Sequence, residues 1–302
     1  MNQKMTIRCN AKINLSLDVT GKREDGYHTL ESIFQSVTVY DILTVGVSSG
    51  SGITLRCSIP ALPCDERNLA YRAAQAMLEA SGKKCSVQMT LHKHIPSGAG
   101  MGGGSADAAG VLFALNKLLR CGYSNEKLRE IGIKLGADVP FLLMGGTVLA
   151  EGIGEILTPL RPLPELPLVI LKGRQSISTP KAYAAIDALE APFHPDTARM
   201  LEAVETQNTA LLAEHCGNTF EDAAALADVE RAKAALLEDG ALCAVMTGSG
   251  SAVFGIFPDQ QLADACAVKR RAEFAFAQSC KTTAEPQRTL RKRHRSSRRR
   301  TR

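Results

Sequence analysis

With 302 residues, 45% of them apolar and 22% charged, the chain is long for one common domain and suits a soluble globular protein of two modest domains. Its nine cysteines show no Cys-x-x-Cys spacing, which argues against a disulfide framework and a structural zinc site. The start of the chain alternates polar and apolar residues, and no apolar run reaches the roughly 18 residues of a membrane span. We therefore expect a cytoplasmic protein with no membrane partner.

The formal net charge of +5 comes from the C-terminal end of the chain. Residues 281–302 contain ten of the 36 Lys and Arg residues and one of the 31 Asp and Glu residues. The remainder therefore has 26 basic and 30 acidic residues, a charge of −4. The segment has few large apolar side chains and no interleaved aromatic residues, so it predicts a disordered basic tail that supports at most non-specific binding to nucleic acid.

The first half of the chain predicts strands mixed with helices. From Ile7 to Val19 apolar residues occupy every odd position, which predicts a strand with one buried face and with Lys12 and Asn14 on its polar face. The elements expected after it are a turn at 20–28, a strand at 32–47, a helix at 65–81 ending at Gly82, a strand at 86–95, helices from about Ser105 and at about 124–135, and a strand at 145–152.

The second half begins after a proline-rich stretch at 158–167, the best boundary between two domains. The elements expected there are a strand at 166–173, a helix from about 178, helical tracts at 197–215 and 220–238, two strands around a glycine turn at 243–257, and a helix at 259–275. No β-branched run follows Phe257, so residues from about 270 onward are either disordered or supply a final strand within 270–285. The mixture lacks a regular βαβ rhythm, which favours an α+β fold with domains at 1–158 and 166–280.

The segment that follows the strand at 86–95 is the most informative part of the sequence. Five of the seven residues 98–104 are glycines, whose backbone amides can approach a phosphate closely because no Cβ is present. The next helix adds free amides and the positive end of its dipole. The segment lacks the Gly-Lys-Ser/Thr of a Walker A loop and the acidic residue of a dinucleotide fingerprint. Its glycines alone would also fit a tight structural turn.

Several segments together resemble one enzyme superfamily. The glycine segment, IPSGAGMGGGSADAAG, resembles the second motif of the GHMP kinases, and TGSGSAVFGIF resembles their third motif. The opening NAKINLSLDVTGKREDGYH, with GADVPFLL and STPKAY, is similar to the 4-diphosphocytidyl-2-C-methyl-D-erythritol kinases of that superfamily. The resemblance implies an α+β, two-domain GHMP kinase fold, with a ribosomal protein S5 domain 2-like N-terminal domain and a ferredoxin-like C-terminal domain.

The same resemblance implies a reaction and its cofactors. ATP, with Mg²⁺, would phosphorylate the 2-hydroxyl of 4-(cytidine 5'-diphospho)-2-C-methyl-D-erythritol, a step of the non-mevalonate pathway to isoprenoid precursors. The expected ATP-binding residues are Pro96, Ser97, Gly98, Ala99, Gly100, Met101, Gly102, Gly103, Gly104 and Ser105. Ser105 is also the candidate Mg²⁺ ligand, because Ala106 stands where the family commonly has a second serine.

Lys12 and Asp138 are the expected catalytic residues. Asp138 follows a helix stop on a constrained loop, where its carboxylate could accept the hydroxyl proton during phosphoryl transfer. Lys12 could pair with Asp138 and stabilise the alkoxide or the γ-phosphate. Taken singly, each residue also fits a structural role, as a helix-end carboxylate and a solvated lysine.

The expected acceptor-binding residues are Asn14, Tyr27, His28, Thr179 and Tyr183. Tyr27 would stack on a base while His28 bonds a cytosine edge. Tyr183 would cover the other face of the base, although it equally fits helix packing. Asn14 would hydrogen-bond a substrate hydroxyl.

Three alternatives stay open at this point: another GHMP kinase of the homoserine or phosphomevalonate type, a catalytically silent GHMP-like binding protein, and a nucleic-acid-binding protein that acts through its basic tail. The Tyr27–His28 turn argues against the first, and the presence of both Lys12 and Asp138 argues against the second. The expected partner is a small-molecule substrate, bound by a monomer or a weak homodimer.

Overall fold

The computed structural model of the protein describes residues 3–289. Its strands are β1 (Gln3–Lys22), β2 (His28–Ser48), β3 (Ile53–Cys57), β4 (Ser86–His92), β5 (Thr147–Glu151), β6 (Ile156–Pro159), β7 (Pro167–Lys172), β8 (Gly217–Asn218), β9 (Cys243–Met246), β10 (Val253–Ile256), β11 (Phe276–Lys281) and β12 (Gln287–Thr289). Its helices are α1 (Leu69–Ser81), α2 (Gly103–Leu118), α3 (Asn125–Ile133), α4 (Asp138–Met144), α5 (Thr179–Ile186), α6 (Thr197–Thr206), α7 (Thr209–His215), α8 (Phe220–Ala224), α9 (Ala227–Glu238) and α10 (Gln260–Arg270).

The first sheet is built on two long antiparallel strands, β1 and β2. The strand order is β12-β1-β2-β4-β3. Outside this path, β5 pairs with β2, β6 pairs with β5, and β8 pairs with β1. Shifts in the β1–β2 register occur between Asn10 and Lys12 and between Asn14 and Ser16. These irregularities re-aim the polar side chains of β1 at the place where the candidate site lies.

The alternation in residues 7–19 correctly predicts strand β1, but its polar face is not solvated. Lys12 is only 4% exposed and Asn14 only 1%. Both faces of the strand are covered, because the glycine loop and the later turn at residues 247–250 pack over the polar side. The interpretation of Lys12 as a solvated surface lysine is therefore wrong.

Helix ends follow the local stop signals more closely than the broad patterns. Gly82 ends α1 in the left-handed conformation, as expected, whereas the helix starts at Leu69 with Asn68 as its cap rather than at residue 65. The tracts expected at 197–215 and 220–238 are each divided in two. Gln207 and Ala225 have positive φ angles and interrupt them.

The second sheet has the order β11-β7-β10-β9, with every neighbouring pair antiparallel. Strands β7, β9, β10 and β11 alternate with helices α9 and α10 in the order βαββαβ, which is the ferredoxin-like arrangement. The four-stranded sheet and its two helices confirm the ferredoxin-like second half of the GHMP kinase fold.

The last strand of the second sheet is β11, so of the two alternatives for residues 270–285 the strand is the right one. It pairs with β7 from Phe276 to Lys281. Its sequence FAQSCK contains no β-branched residue, and it lies at the sheet edge with most of its side chains half-buried, so it carries little periodic signal.

The first part of the expected disordered tail, residues 281–289, is structured. Thr282 is buried, bridges to Val37, and its hydroxyl accepts a hydrogen bond from Leu166 N at 2.8 Å. Residues 287–289 pair with β1. Lys281 ends β11, and Thr282 and residues 287–289 join the first sheet, while the rest of the expected tail, residues 290–302, lies outside the described residues.

The core consists of two hydrophobic clusters, and the larger one draws side chains from both sheets. Met200, Val204 and Leu212 of α6 and α7 pack with the interior of the first sheet, together with Leu168 and Phe254 of the second. The division at 1–158 and 166–280 stays a prediction about sequence segments, because side chains from both lie in the same core. No helix within residues 3–289 is long and apolar enough to cross a membrane.

Candidate active site

A cleft of about 900 Å³ opens between β1, β2, the glycine loop, α4, α5 and the turn at residues 247–250. The residues from the sequence analysis that line it are Lys12, Asn14, Tyr27, His28, Gly98, Gly100, Gly102, Ser105, Asp138, Thr179 and Tyr183. The remaining expected ATP-binding residues, namely Pro96, Ser97, Ala99, Met101, Gly103 and Gly104, do not line this cleft. The side chains of Ala99 and Met101 are buried instead.

The glycine loop is shaped for an anion. Gly98, Gly100 and Gly102 all have positive φ angles. Helix α2 starts at Gly103, two residues before the expected start, and its first helical hydrogen bond runs from Ala106 N to Gly102 O. The amides of residues 103–105 therefore precede the helical hydrogen-bond ladder and can donate to a phosphate.

Two glycines from distant parts of the chain touch each other beside this loop. A Cβ on Gly100 would lie 2.0 Å from the carbonyl oxygen of Thr247. A Cβ on Gly248 would lie 2.7 Å from the carbonyl oxygen of Gly100. The hydroxyl of Ser105 also lies in the cleft, beside the turn that precedes α4.

We predict that Gly100→Ala weakens ATP binding about 10- to 100-fold, because forced shifts in packed backbone cost about 1–3 kcal/mol. Calorimetric titration with ATP measures the dissociation constant. The matched control is Gly82→Ala, which has the same left-handed backbone but no atom within 4 Å of the added Cβ. Equal affinities in the two variants would show that the contact with Thr247 does not shape the loop.

Lys12 is held by a buried hub centred on Asn14. The Asn14 side-chain oxygen accepts hydrogen bonds from Lys12 Nζ at 2.8 Å, Gly248 N at 3.0 Å and Thr247 Oγ1 at 3.2 Å. Its amide nitrogen donates to Ser32 Oγ at 2.8 Å. The oxygen is fully used inside the protein, so any bond from Asn14 to an acceptor hydroxyl falls to the second hydrogen of Nδ2.

Burial lowers the pKa of Lys12, while the negative charge of Asp138 acts in the opposite direction. The Lys12 ammonium lies 4.0 Å from Asp138 Oδ2 and 4.9 Å from the centre of the Phe34 ring. Asp138 is the first residue of α4 rather than part of a free loop, and its side chain is 31% exposed. A cation and a partly exposed carboxylate therefore face the cleft together, next to Gly102.

The far end of the cleft is aromatic. The rings of His28 and Tyr183 stack at 4.5 Å, and Tyr183 meets Phe220 edge-on at 4.9 Å. Burial, followed by the charge of Asp138, raises the pKa of Tyr183. The rings of His28 and Tyr183 are already in contact, so a base cannot insert between them. A base can therefore stack on this aromatic wall from one side only. Tyr27 is 62% exposed and lines the same cleft.

Sequence analysis missed several polar residues at this site. Asp187, the residue after α5, receives hydrogen bonds from Lys22 and His28. Thr179 was expected to bind the acceptor, and its hydroxyl lies 3.0 Å from that of Ser249, which joins α5 to the late glycine turn. The Lys22 and Asp187 side chains meet only in the folded chain, and no local pattern marks them.

A second missed group lies at the root of the glycine loop. Lys93 donates hydrogen bonds to Asp41 and, at 2.6 Å, to Asp107, and all three side chains are buried. Asp41 also accepts from the amides of His94 and Ile95. These three residues, the Lys93 triad, close the loop at both ends, because Lys93 precedes it and Asp107 follows it.

Family models match two parts of the chain, the GHMP kinases N terminal domain at residues 68–146 and the GHMP kinases C terminal domain at residues 200–275. The chain is 41% identical over 272 residues to a 4-diphosphocytidyl-2-C-methyl-D-erythritol kinase of Clostridium botulinum, covering 89% of this chain and 97% of the relative. It is 40% identical to the enzyme of that name from Clostridium novyi, covering 87% and 94%.

Solved structures agree with these sequence relationships. A crystal structure of 4-(cytidine 5'-diphospho)-2C-methyl-D-erythritol kinase superposes with a TM-score of 0.78 at 35% identity, covering 93% of this chain and 99% of that one. A homoserine kinase from Cytophaga hutchinsonii has a TM-score of 0.76 at 19% identity, covering 95% and 97%, and so shares the fold. With both GHMP domains matched and relatives of one name aligned over nearly their full length, the chain belongs to the 4-diphosphocytidyl-2-C-methyl-D-erythritol kinase family of the GHMP kinases.

Proposed function

We propose that the protein transfers the γ-phosphoryl group of ATP to the 2-hydroxyl of 4-(cytidine 5'-diphospho)-2-C-methyl-D-erythritol, in the non-mevalonate route to isoprenoid precursors. The observation that carries the proposal is the arrangement of the functional residues along one cleft. A phosphate-shaped glycine loop lies at one end and an aromatic wall at the other, and both line the same cavity as Lys12 and Asp138.

The two ends suit the two parts of such a reaction. Amides that precede the hydrogen-bond ladder of α2 suit the phosphates of ATP. Tyr27, His28 and Tyr183 suit a pyrimidine ring, since aromatic faces bind bases by stacking and imidazole nitrogens bind their polar edges. A homoserine or mevalonate-type acceptor has no base to use this wall.

The central residues have distinct roles. Asp138 accepts the proton of the attacking hydroxyl, for which its partly exposed carboxylate is accessible from the cleft. Lys12 stabilises negative charge on the transferring group, and the Asn14 oxygen holds its ammonium in place at 2.8 Å. Thr179 is proposed to contact the acceptor from α5, beside the late glycine turn.

ATP supplies the phosphoryl group, and the Mg²⁺ ion that we propose as its counter-ion would be carried by the phosphates and would neutralise part of their charge. Within residues 3–289 no cluster of three or more His, Cys, Asp or Glu side chains could hold a metal alone. The side chains of the described residues therefore suit an ion that arrives with the nucleotide better than a dedicated metal site. Ser105, whose hydroxyl faces the cleft, is the proposed protein contact to this ion.

The test is a panel assay on the purified full-length protein with Mg-ATP. The acceptors are 4-(cytidine 5'-diphospho)-2-C-methyl-D-erythritol, homoserine, mevalonate and phosphomevalonate, and ADP release is followed. We expect rapid ADP release with the first acceptor only, and a phosphorus spectrum that places the new phosphate on the 2-hydroxyl. Turnover of another acceptor without the first would overturn the proposal.

That the protein acts as a cytoplasmic monomer or weak homodimer stays our prediction. Sedimentation measures the oligomeric state, and cell fractionation measures the location.

A further inference from the structure

One carboxylate at the aromatic end of the cleft joins two neighbouring elements. Asp187 Oδ1 lies 2.7 Å from His28 Nε2, and Asp187 Oδ2 lies 2.5 Å from Lys22 Nζ. Hydrogen bonds from Lys22 and His28 lower the pKa of Asp187, so the group is ionised at neutral pH. An ionised carboxylate only accepts hydrogen bonds. His28 must therefore be the donor in this contact.

This contact determines which ring nitrogen of His28 carries the proton. With the hydrogen on Nε2, the Nδ1 atom of the neutral ring is an acceptor. Within residues 3–289 no hydrogen bond reaches Nδ1, and His28 lines the cleft. The ring cannot turn over without losing Asp187, and its stack on Tyr183, with planes 15° apart, fixes its tilt.

A fixed acceptor at this position distinguishes between pyrimidines. Cytosine carries an exocyclic amino group, which donates a hydrogen bond, where uracil carries a carbonyl oxygen, which only accepts. An acceptor nitrogen thus bonds cytosine and repels uracil at the same point. If Nδ1 carried the hydrogen instead, the preference would reverse.

We infer that Asp187 is a specificity-determining positioning residue, which holds His28 as the Nε2–H tautomer and so presents Nδ1 as an acceptor for the amino group of a cytosine. The inference rests on the proposed function, because it assumes that the acceptor's base lies against His28. Lys22 contributes by holding the other oxygen of the Asp187 carboxylate in place. The competing explanation is that the contact only ties α5 to the turn between β1 and β2.

The decisive variant is Asp187→Asn. The asparagine amide has the same shape and can donate to Nε2 as well as accept from it, so the ring is no longer restricted to one tautomer. The acceptors compared are 4-(cytidine 5'-diphospho)-2-C-methyl-D-erythritol and its uridine counterpart, in kinetics and in calorimetric binding without ATP. We expect the cytidine-over-uridine ratio of kcat/KM to fall roughly 10-fold or more, as for an unmet buried hydrogen bond, with the KM for ATP unchanged.

Asp264→Asn is the matched control, because exposed Asp264 also accepts two side-chain hydrogen bonds, from Ser279 and Gln260, but lies away from the cleft. Its ratio should equal that of the wild type. A ratio in Asp187→Asn equal to the control, with activity intact, would overturn the inference and leave a structural tie.

Nitrogen-15 long-range spectra of the wild-type protein test the tautomer directly, with His28→Gln used to assign the signal. We expect His28 to carry its hydrogen on Nε2, and a hydrogen on Nδ1 would overturn the inference. This measurement needs no turnover. An enzyme that fails to phosphorylate the cytidine acceptor would therefore remove the proposed function, while the spectrum would still report on Asp187.

Discussion

Asp138→Asn should lower kcat by about 10²–10⁴-fold, the usual contribution of a positioned general base. The amide keeps the size and shape of the side chain but cannot take up the hydroxyl proton. KM values for both substrates should stay within a few-fold, because the cleft is unchanged. Loss of the carboxylate also removes the charge that counteracts the lowered pKa of Lys12, so Lys12 loses its proton at a lower pH in the variant than in the wild type. Steady-state kinetics across pH measure both effects.

The control for this prediction is Asp196→Asn, a change between two good helix caps at the start of α6, away from the cleft. It should leave kcat unchanged. If Asp138→Asn behaved the same way, Asp138 would be a first-turn helix carboxylate, which is the structural alternative that its sequence position allowed.

Lys93→Met should destabilise the protein by about 3–5 kcal/mol, because it leaves the buried carboxylates of Asp41 and Asp107 without their cation. The ionised form of Asp107 is poorly stabilised apart from Lys93. Its Oδ1 is buried with no hydrogen-bond partner among residues 3–289, and burial raises its pKa well above the ordinary value. Because the triad closes the glycine loop, we also expect weaker ATP binding. Urea unfolding and calorimetry measure the two losses.

Two further variants isolate the cause. Lys127→Met removes a lysine from an exposed ion pair with Glu130 and should leave the stability almost unchanged. Adding Asp107→Leu to Lys93→Met removes one buried carboxyl group that has lost its partner and should recover part of the stability. Equal stabilities of Lys93→Met and Lys127→Met would mean that the buried triad contributes no more than a surface pair.

The sequence predicted the elements whose signal is local. Alternation in residues 7–19 gives β1, Gly82 ends α1, and Gly98, Gly100 and Gly102 take the positive φ angles of a tight loop. Lys12 and Asp138, found by resemblance to a family, do lie together in one cleft, 4.0 Å apart.

What sequence patterns missed depends on contacts between distant residues. Strand β11 has no alternation of its own and is fixed by pairing with β7, more than a hundred residues earlier. Asp187 reaches Lys22 across 165 positions, and Lys93 reaches Asp41 across 52. Burial of Lys12 likewise comes from later segments that cover β1, so its own neighbours in sequence could not reveal it.

The contact between Gly100 and the turn at Thr247 has a consequence for the order in which the enzyme matures. Thr247 lies 147 positions after Gly100, so on the ribosome the glycine loop is made long before the backbone against which it packs. Until the second sheet folds, the loop lacks its contact with Thr247, and the Asn14 oxygen lacks the hydrogen bond from Gly248 N. A fragment that ends near residue 160 would contain every residue of the glycine loop and still lack the contacts that fix its conformation. Competence to bind ATP therefore reports that synthesis and folding of the chain have reached the second half.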